Sequence, residues 1–167
     1  ITAGKTYNDL NQAFLEMGLD DAALRRYGIR ILKMGMLFPM EPTIVREFAQ
    51  GLEEIFVIEE KRPFLEMFAK QVLYGMANAP RIVGKFDEEE KELLPHYGEF
   101  ESDVIVRALL KRLSRKTRIE SAENWLKWGD MQMNAHLLAA AERARNLQPL
   151  AAGLFGQKNL SAASFRV

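Results

Sequence analysis

The sequence predicts an α/β fold, a three-layer α/β/α domain with a mostly parallel sheet, followed by a long C-terminal helix. Three observations carry this. Short apolar runs alternate with helical stripes over residues 1–116. One continuous apolar run, Ile55-Phe56-Val57-Ile58, lies between Glu53-Glu54 and Glu59-Glu60, which suits a strand buried on both faces. A third pattern, Ala122, Leu126, Gly129, Met133, Leu137, Ala140, Ala144 and Leu147, recurs in steps of three and four. Strand–helix alternation implies right-handed βαβ crossovers, with helices covering both faces of a parallel sheet.

The elements follow in order. Ile1-Thr2-Ala3 reads as a strand. Gly4-Lys5 then leads to Thr6-x-x-Asp9, a helix N-cap with an acid in the first turn. Leu10, Ala13, Phe14 and Met17 continue that helix to Gly18. Asp20 caps a short helix over residues 22–27, closed by Gly28. Residues 29–34 read as a second strand, broken by Gly35 and Pro39. Glu41-Pro42 opens a helix with Pro42 near its first position and Ile44, Val45, Phe48 and Ala49 on one face. After the strand at 55–58, Lys61-Arg62-Pro63 turns into a helix containing Phe64, Met67, Phe68, Gln71, Val72 and Met76. Residues 81–86 read as a fourth, weaker strand. Ser102 caps a helix that buries Val104, Ile105, Ala108, Leu109 and Leu113. The expected organisation is an α/β domain over 1–116, a long helix over 117–147 and a linker over 148–167. A helix of roughly 30 residues is about 45 Å long, more than a compact domain needs. It therefore packs on the domain at one end and reaches a neighbour at the other. Trp125 and Trp128 flank its stripe, as packing anchors or as a domain contact.

Composition excludes more than it assigns. Lys plus Arg is 23 and Asp plus Glu is 23, a net charge of +0, which gives no electrostatic reason to expect nucleic acid or an acidic membrane surface. The absence of cysteine removes a thiolate nucleophile and any iron–sulfur ligand, and two histidines are too few for an ordinary zinc site. No run approaches 18 apolar residues and no signal peptide opens the chain, so a cytoplasmic protein is expected. A start inside a strand and an end in a linker point to a piece of something longer.

Few residues suggest chemistry. Gly4-Lys5-Thr6 resembles the end of a Walker A motif, and Ile55 to Glu59 a Walker B strand, which makes a P-loop nucleotide-binding domain one alternative. Against it, a P-loop needs further residues and another glycine between strand and Gly-Lys-Thr, whereas here Ile-Thr-Ala runs straight into Gly4. A free-standing protein-interaction module is the other alternative. The acidic run 87–90 and the basic run 111–118 read as solvated surface or as a docking face. His96 lies in a loop and His136 on the long helix, neither with a second ligand at metal spacing. No serine elbow, Gly-Asp-Gly motif or Cys-x-x-Cys is present.

Read together, Ile1-Thr2-Ala3-Gly4-Lys5-Thr6-Tyr7, the stretch from Ile31 through Leu37-Phe38-Pro39 to Pro42, and Ile55 to Pro63 resemble one family, with Arg81 to Lys85 and Leu94 to Gly98 fitting the same order. It is the long single-chain indolepyruvate (2-oxoacid):ferredoxin oxidoreductases, and the resemblance covers about residues 1–113. The resemblance implies a middle domain of the transketolase C-terminal type, serving assembly inside a homodimeric enzyme. Such enzymes decarboxylate a 2-oxoacid oxidatively on thiamine diphosphate and magnesium and pass electrons through iron–sulfur clusters to ferredoxin. The family's activating glutamate, magnesium–diphosphate motif and cluster cysteines have no counterpart here, so the segment itself is expected to be inactive and to bind no cofactor or metal. Loops at the strands' carboxyl ends are where partner domains dock in such a sheet. The expected interface residues are Lys5, Thr6 and Tyr7, Glu59, Glu60, Lys61 and Arg62, with Trp125 and Trp128.

Overall fold

A computed structural model describes residues 1–155, with side chains through Arg145. The chain runs β1 (Thr2–Ala3), α1 (Gly4–Glu16), α2 (Asp21–Arg26), β2 (Lys33–Met34), α3 (Pro42–Ala49), β3 (Glu54–Phe56), α4 (Phe64–Leu73), β4 (Arg81–Val83), α5 (Ser102–Leu113) and α6 (Glu120–Phe155). It is an α/β fold with short parallel sheets and a long C-terminal helix. It divides into two units, Ile1–Leu126 and Lys127–Val167.

In the first unit, β1 pairs in parallel with β2, and β3 in parallel with β4. The two pairs are stitched by a parallel bridge between Thr2 and Ile58, where the Ile58 N–H donates to the Ile1 carbonyl at 2.8 Å. The spatial order is therefore β2-β1-β3-β4. The chain leaves β1 toward one edge and β3 toward the other, which makes the β1/β3 boundary the topological switch point.

The strands are shorter than the apolar runs suggest, for local reasons. Gly4, at φ +54°, turns the chain from β1 directly into α1, so β2 has only two residues to pair with. This left-handed turn favours glycine, and it puts the helix start two residues before the expected Thr6 cap, with Thr6 buried. β4 stops at Val83 because Gly84 and Lys85 turn away, and Phe86 instead bridges Glu92 in antiparallel fashion. Glu101, not Ser102, occupies the N-cap position of α5. Two expected caps form. The Asp20 side chain accepts from the Ala23 N–H, and the Glu41 carboxylate accepts from Thr43 and Ile44, with Pro42 at the first turn.

Strand alternation sorts the core. Ile55 and Val57 join Met34, Val45, Ala49, Leu65 and Leu73 in one cluster with α3 and α4. Phe56 and Ile58 face the other way, into a cluster with Leu10 and Phe14 of α1, Ile105 and Val106 of α5, and Ala122 at the start of α6. The two charge runs meet at the amino ends of β3 and β4. Arg112, buried on α5, donates to both oxygens of Glu54 and to Glu88 at 2.8 Å, while Arg115 and Arg81 also pair with Glu88. Neither run is therefore only a solvated surface: part of each is a fold contact.

The second unit is the continuation of α6, on which Trp128, Met131, Met133, Leu137 and Leu138 are exposed. Of the expected linker, residues 148–155 belong to α6 and residues 156–167 lie outside the described residues. None of the helices of the described residues is long and apolar enough to cross a membrane.

Candidate functional site

Open α/β sheets leave a crevice beyond the carboxyl ends of their strands at the switch point. Here a cleft of about 450 Å³ lies there, between the β1–α1 junction (Ala3 to Thr6), Leu37 and the turn from Glu59 to Leu65. Of the nine residues expected at an interface, Lys5, Thr6, Glu59, Glu60, Lys61 and Arg62 line this one cleft. Tyr7 does not line it and instead carries the Lys33 ammonium 4.4 Å from its ring centre. Trp125 packs on the α1–α5 core, and Trp128 lies exposed in the second unit.

Each wall has a cause in the sequence. Pro63 supplies no side-chain cap for α4, and Glu59 takes that role. Its Oε2 accepts from the Leu65 N–H at 2.7 Å and its Oε1 from the Glu66 N–H at 3.0 Å. Burial pushes the Glu59 carboxyl pKa up, and these two donors pull against that shift. Lys61, at φ +55°, makes the sharp bend that the capping contact requires.

Behind this turn sits Lys85, almost wholly buried. Its Nζ donates to the Glu59 carbonyl and to the Pro95 carbonyl, each at 2.7 Å, and lies 4.7 Å from the centre of the Phe100 ring. Desolvation lowers the ammonium pKa, opposed by Glu59 and Glu66. One cation thus ties the β3 turn to the 95–100 loop. Its backbone N–H donates to Glu66 Oε2 at 3.0 Å, and Lys70 pairs with Glu66 Oε1 at 2.6 Å.

The polar groups at the cleft are unevenly paired. Lys5 Nζ lies 2.8 Å from Asp9, 4.0 Å from Glu60 and 3.8 Å from Glu99. The Asp9 hydrogen bond raises the Lys5 pKa, helped by the other two carboxylates. Glu60 also accepts from the Phe100 N–H at 3.4 Å. Leu37 and Phe64 give the cleft an apolar side, with Phe38 exposed beside it, its ring centre 5.8 Å from that of Phe68 at a 41° tilt.

Among the described residues the donor set does not fit an iron–sulfur cluster or a carboxylate metal site of the kind the resemblance implies for the whole enzyme. A chain without cysteine cannot hold an iron–sulfur cluster. Glu59 and Glu60 are engaged by N–H donors and Lys5, and among the described residues no group of three His, Cys, Asp or Glu could hold a metal ion. Gly4-Lys5-Thr6 does not form a P-loop, since β1 enters α1 with no intervening phosphate-cradling loop.

Sequence reasoning missed Lys85, Glu66 and Arg112. Lys85 carried no periodic signal, because it lies past the end of β4 in the turn that leaves Val83. Arg112 continues the buried α5 stripe of Ile105 and Ala108. Glu66 likewise falls on the buried α4 stripe of Ala69 and Leu73.

Fold and cleft together define a parallel α/β domain with an open crevice at its switch point. Residues 1–148 match the family model described as the indolepyruvate ferredoxin oxidoreductase middle domain, and the chain belongs to that family. It is similar to indolepyruvate oxidoreductase subunit IorA of Thermococcus kodakarensis, 29% identical over 123 residues, covering 74% of this chain and 17% of the relative. It is similar also to IorA of Pyrococcus abyssi, 28% identical over 123 residues with the same coverage. For IorA of Methanothermobacter marburgensis the identity is 28% over 109 residues, 65% of this chain and 16% of the relative. The chain thus spans about a sixth of the length of the curated relatives it matches. No solved structure matches it.

Proposed function

We propose that this chain is the structural middle domain of a thiamine diphosphate-dependent 2-oxoacid ferredoxin oxidoreductase of the indolepyruvate type. In this reading its fold is the three-layer α/β/α, transketolase C-terminal type. Thiamine diphosphate, magnesium and the iron–sulfur clusters are held by other domains, and ferredoxin takes the electrons. The enzyme is a cytoplasmic homodimer. The middle domain contributes no catalytic residue and serves assembly, with the cleft between the β1–α1 junction and the Glu59–Arg62 turn as its docking face.

The family match over residues 1–148 carries this reading. The engaged carboxylates of the cleft and the lack of any cysteine support the placing of cofactors elsewhere. Titration calorimetry of the chain with thiamine diphosphate and magnesium tests it. No heat of binding is expected. Tight, magnesium-dependent binding would sink the reading.

A further inference from the structure

The cleft continues into an exposed apolar patch. Leu37 and Phe64 both line the cleft, and Phe64 stands one turn before Met67 and Phe68 on α4. The Phe38 ring, 75% exposed, lies 5.8 Å from that of Phe68, which joins the loop after β2 to the same surface. Leu37, Phe64 and Met67 are exposed as well. Four large side chains about half in water leave roughly 400 Å² of apolar surface, in the range that marks interaction sites. The ions of the cleft divide into engaged and free ones. Glu59 accepts from the Leu65 and Glu66 N–H groups, and Glu60 faces Lys5 and accepts from Phe100. Lys61 and Arg62 line the same cleft, are exposed, and pair with no carboxylate among the described residues. The backbone at Lys61, φ +55°, would favour glycine, so the fold does not itself require a cation there.

We propose that the patch and the two cations hold an acidic segment from another domain of the same parent chain, one in which a carboxylate lies within a few residues of large apolar side chains. Those side chains cover Leu37, Phe38, Phe64 and Met67, and the carboxylate meets Lys61 and Arg62. The proposal rests on the reading that the cleft is an assembly face, and it adds the chemistry and the source of the occupant. Charge complementarity sets the chemistry, because the free ions of the cleft are both cations. Two facts set the source. The chain spans about a sixth of its curated relatives, so most of each relative lies outside the matched stretch. The patch is also about half of the roughly 800 Å² per partner in a standard interface, too little to hold a free partner tightly. Within one chain the effective concentration is on the order of 1 mM, so a contact with a dissociation constant of about 1 mM is already half formed.

Cross-linking of the full-length parent protein tests this. A carbodiimide couples the Lys61 amine to a carboxylate in contact with it, and benzoylphenylalanine placed at position 38 marks what covers the patch. Both should capture one segment outside residues 1–167, with an Asp or Glu at the Lys61 link. In a mixture of isotopically light and heavy protein, each link should be uniform in label, as expected within one chain. Arg62→Glu should reduce capture at position 38 by about fivefold, since it replaces an ion pair by a repulsion. Lys61→Gly should reduce capture too, while its urea midpoint stays equal to or above wild type, a split that a purely structural role for Lys61 would not give. Circular dichroism confirms that each variant is folded. Capture confined to residues 1–167, or none, overturns the proposal. So does a captured segment without a carboxylate, or capture at position 38 that Arg62→Glu leaves unchanged. Links of mixed label overturn it as well, because a second copy would then cover the patch. These outcomes are separate from the thiamine diphosphate titration: a chain that binds no cofactor and captures nothing loses the docking segment and keeps the domain reading.

Discussion

Gly84→Ala tests the packing behind the cleft most directly. Gly84 takes a backbone conformation open to any residue, so alanine meets no φ penalty there. A Cβ would, however, overlap Glu66 Oε2 and lie 2.8 Å from its Cδ and 3.2 Å from its Cγ. Glu66 is buried, and it must swing aside, which breaks its 3.0 Å hydrogen bond from the Lys85 N–H. An unpaired buried donor costs about 1–3 kcal/mol. Alanine in place of glycine returns about 0.4–1 kcal/mol by restricting the unfolded chain. The clash wins, and the net loss should be about 1–2 kcal/mol. Urea denaturation measures it as a lower midpoint with an unchanged slope. Gly35→Ala, where nothing lies within 4 Å of the new Cβ, is the control and should cost nothing. In a Glu66→Ala background the Gly84→Ala penalty should vanish. The same penalty in both backgrounds would refute the reasoning, because the clash would then lie elsewhere.

Two further outcomes follow from the same region and its opposite end. Lys85→Met keeps the buried stem but leaves the Glu59 and Pro95 carbonyls without their shared donor. It should cost about 1–3 kcal/mol in urea, and stability equal to wild type would show that the cation is not the tie. At the other end, Arg112 chiefly, with Arg115, lowers the Glu88 carboxyl pKa from 4.5 to about 2. A depressed folded-state value means that this contribution is present above pH 4.5 and is lost as pH falls toward about 2. Glu88→Gln should therefore be less stable than wild type near neutrality and converge with it in that acid window. Parallel stability curves for the two proteins between pH 2 and pH 6, values chosen to span about two units either side of the ordinary carboxylate pKa, would contradict the pairing.

The parts of this fold written in local pattern were legible. The run Ile55 to Ile58 announced a strand covered on both sides, and Asp20 and Glu41-Pro42 announced helix starts that form as expected. Strand lengths were not legible, because β2 is limited by β1 rather than by its own apolar residues. Lys5 and Arg62 could be placed near one crevice from their positions after strands. Their pairing could not, since Glu99 reaches Lys5 from a loop far along the chain. Arg112 was hidden for a similar reason: its run of cations looks solvent-bound until the helix face of Ile105 and Ala108 is drawn through it. Polar residues used by the interior escape a reading that expects the interior to be apolar.

The four residues from Ile55 to Ile58 serve both cores, two side chains to each. This has a consequence for building hybrids of this domain with its relatives. A junction placed inside that stretch would take one core's complement from one parent and the other's from the second, and a one-residue misalignment would exchange the two sets outright. Within residues 1–126, then, the β3 stretch has to come whole from a single parent, together with both of the helical layers that close on it.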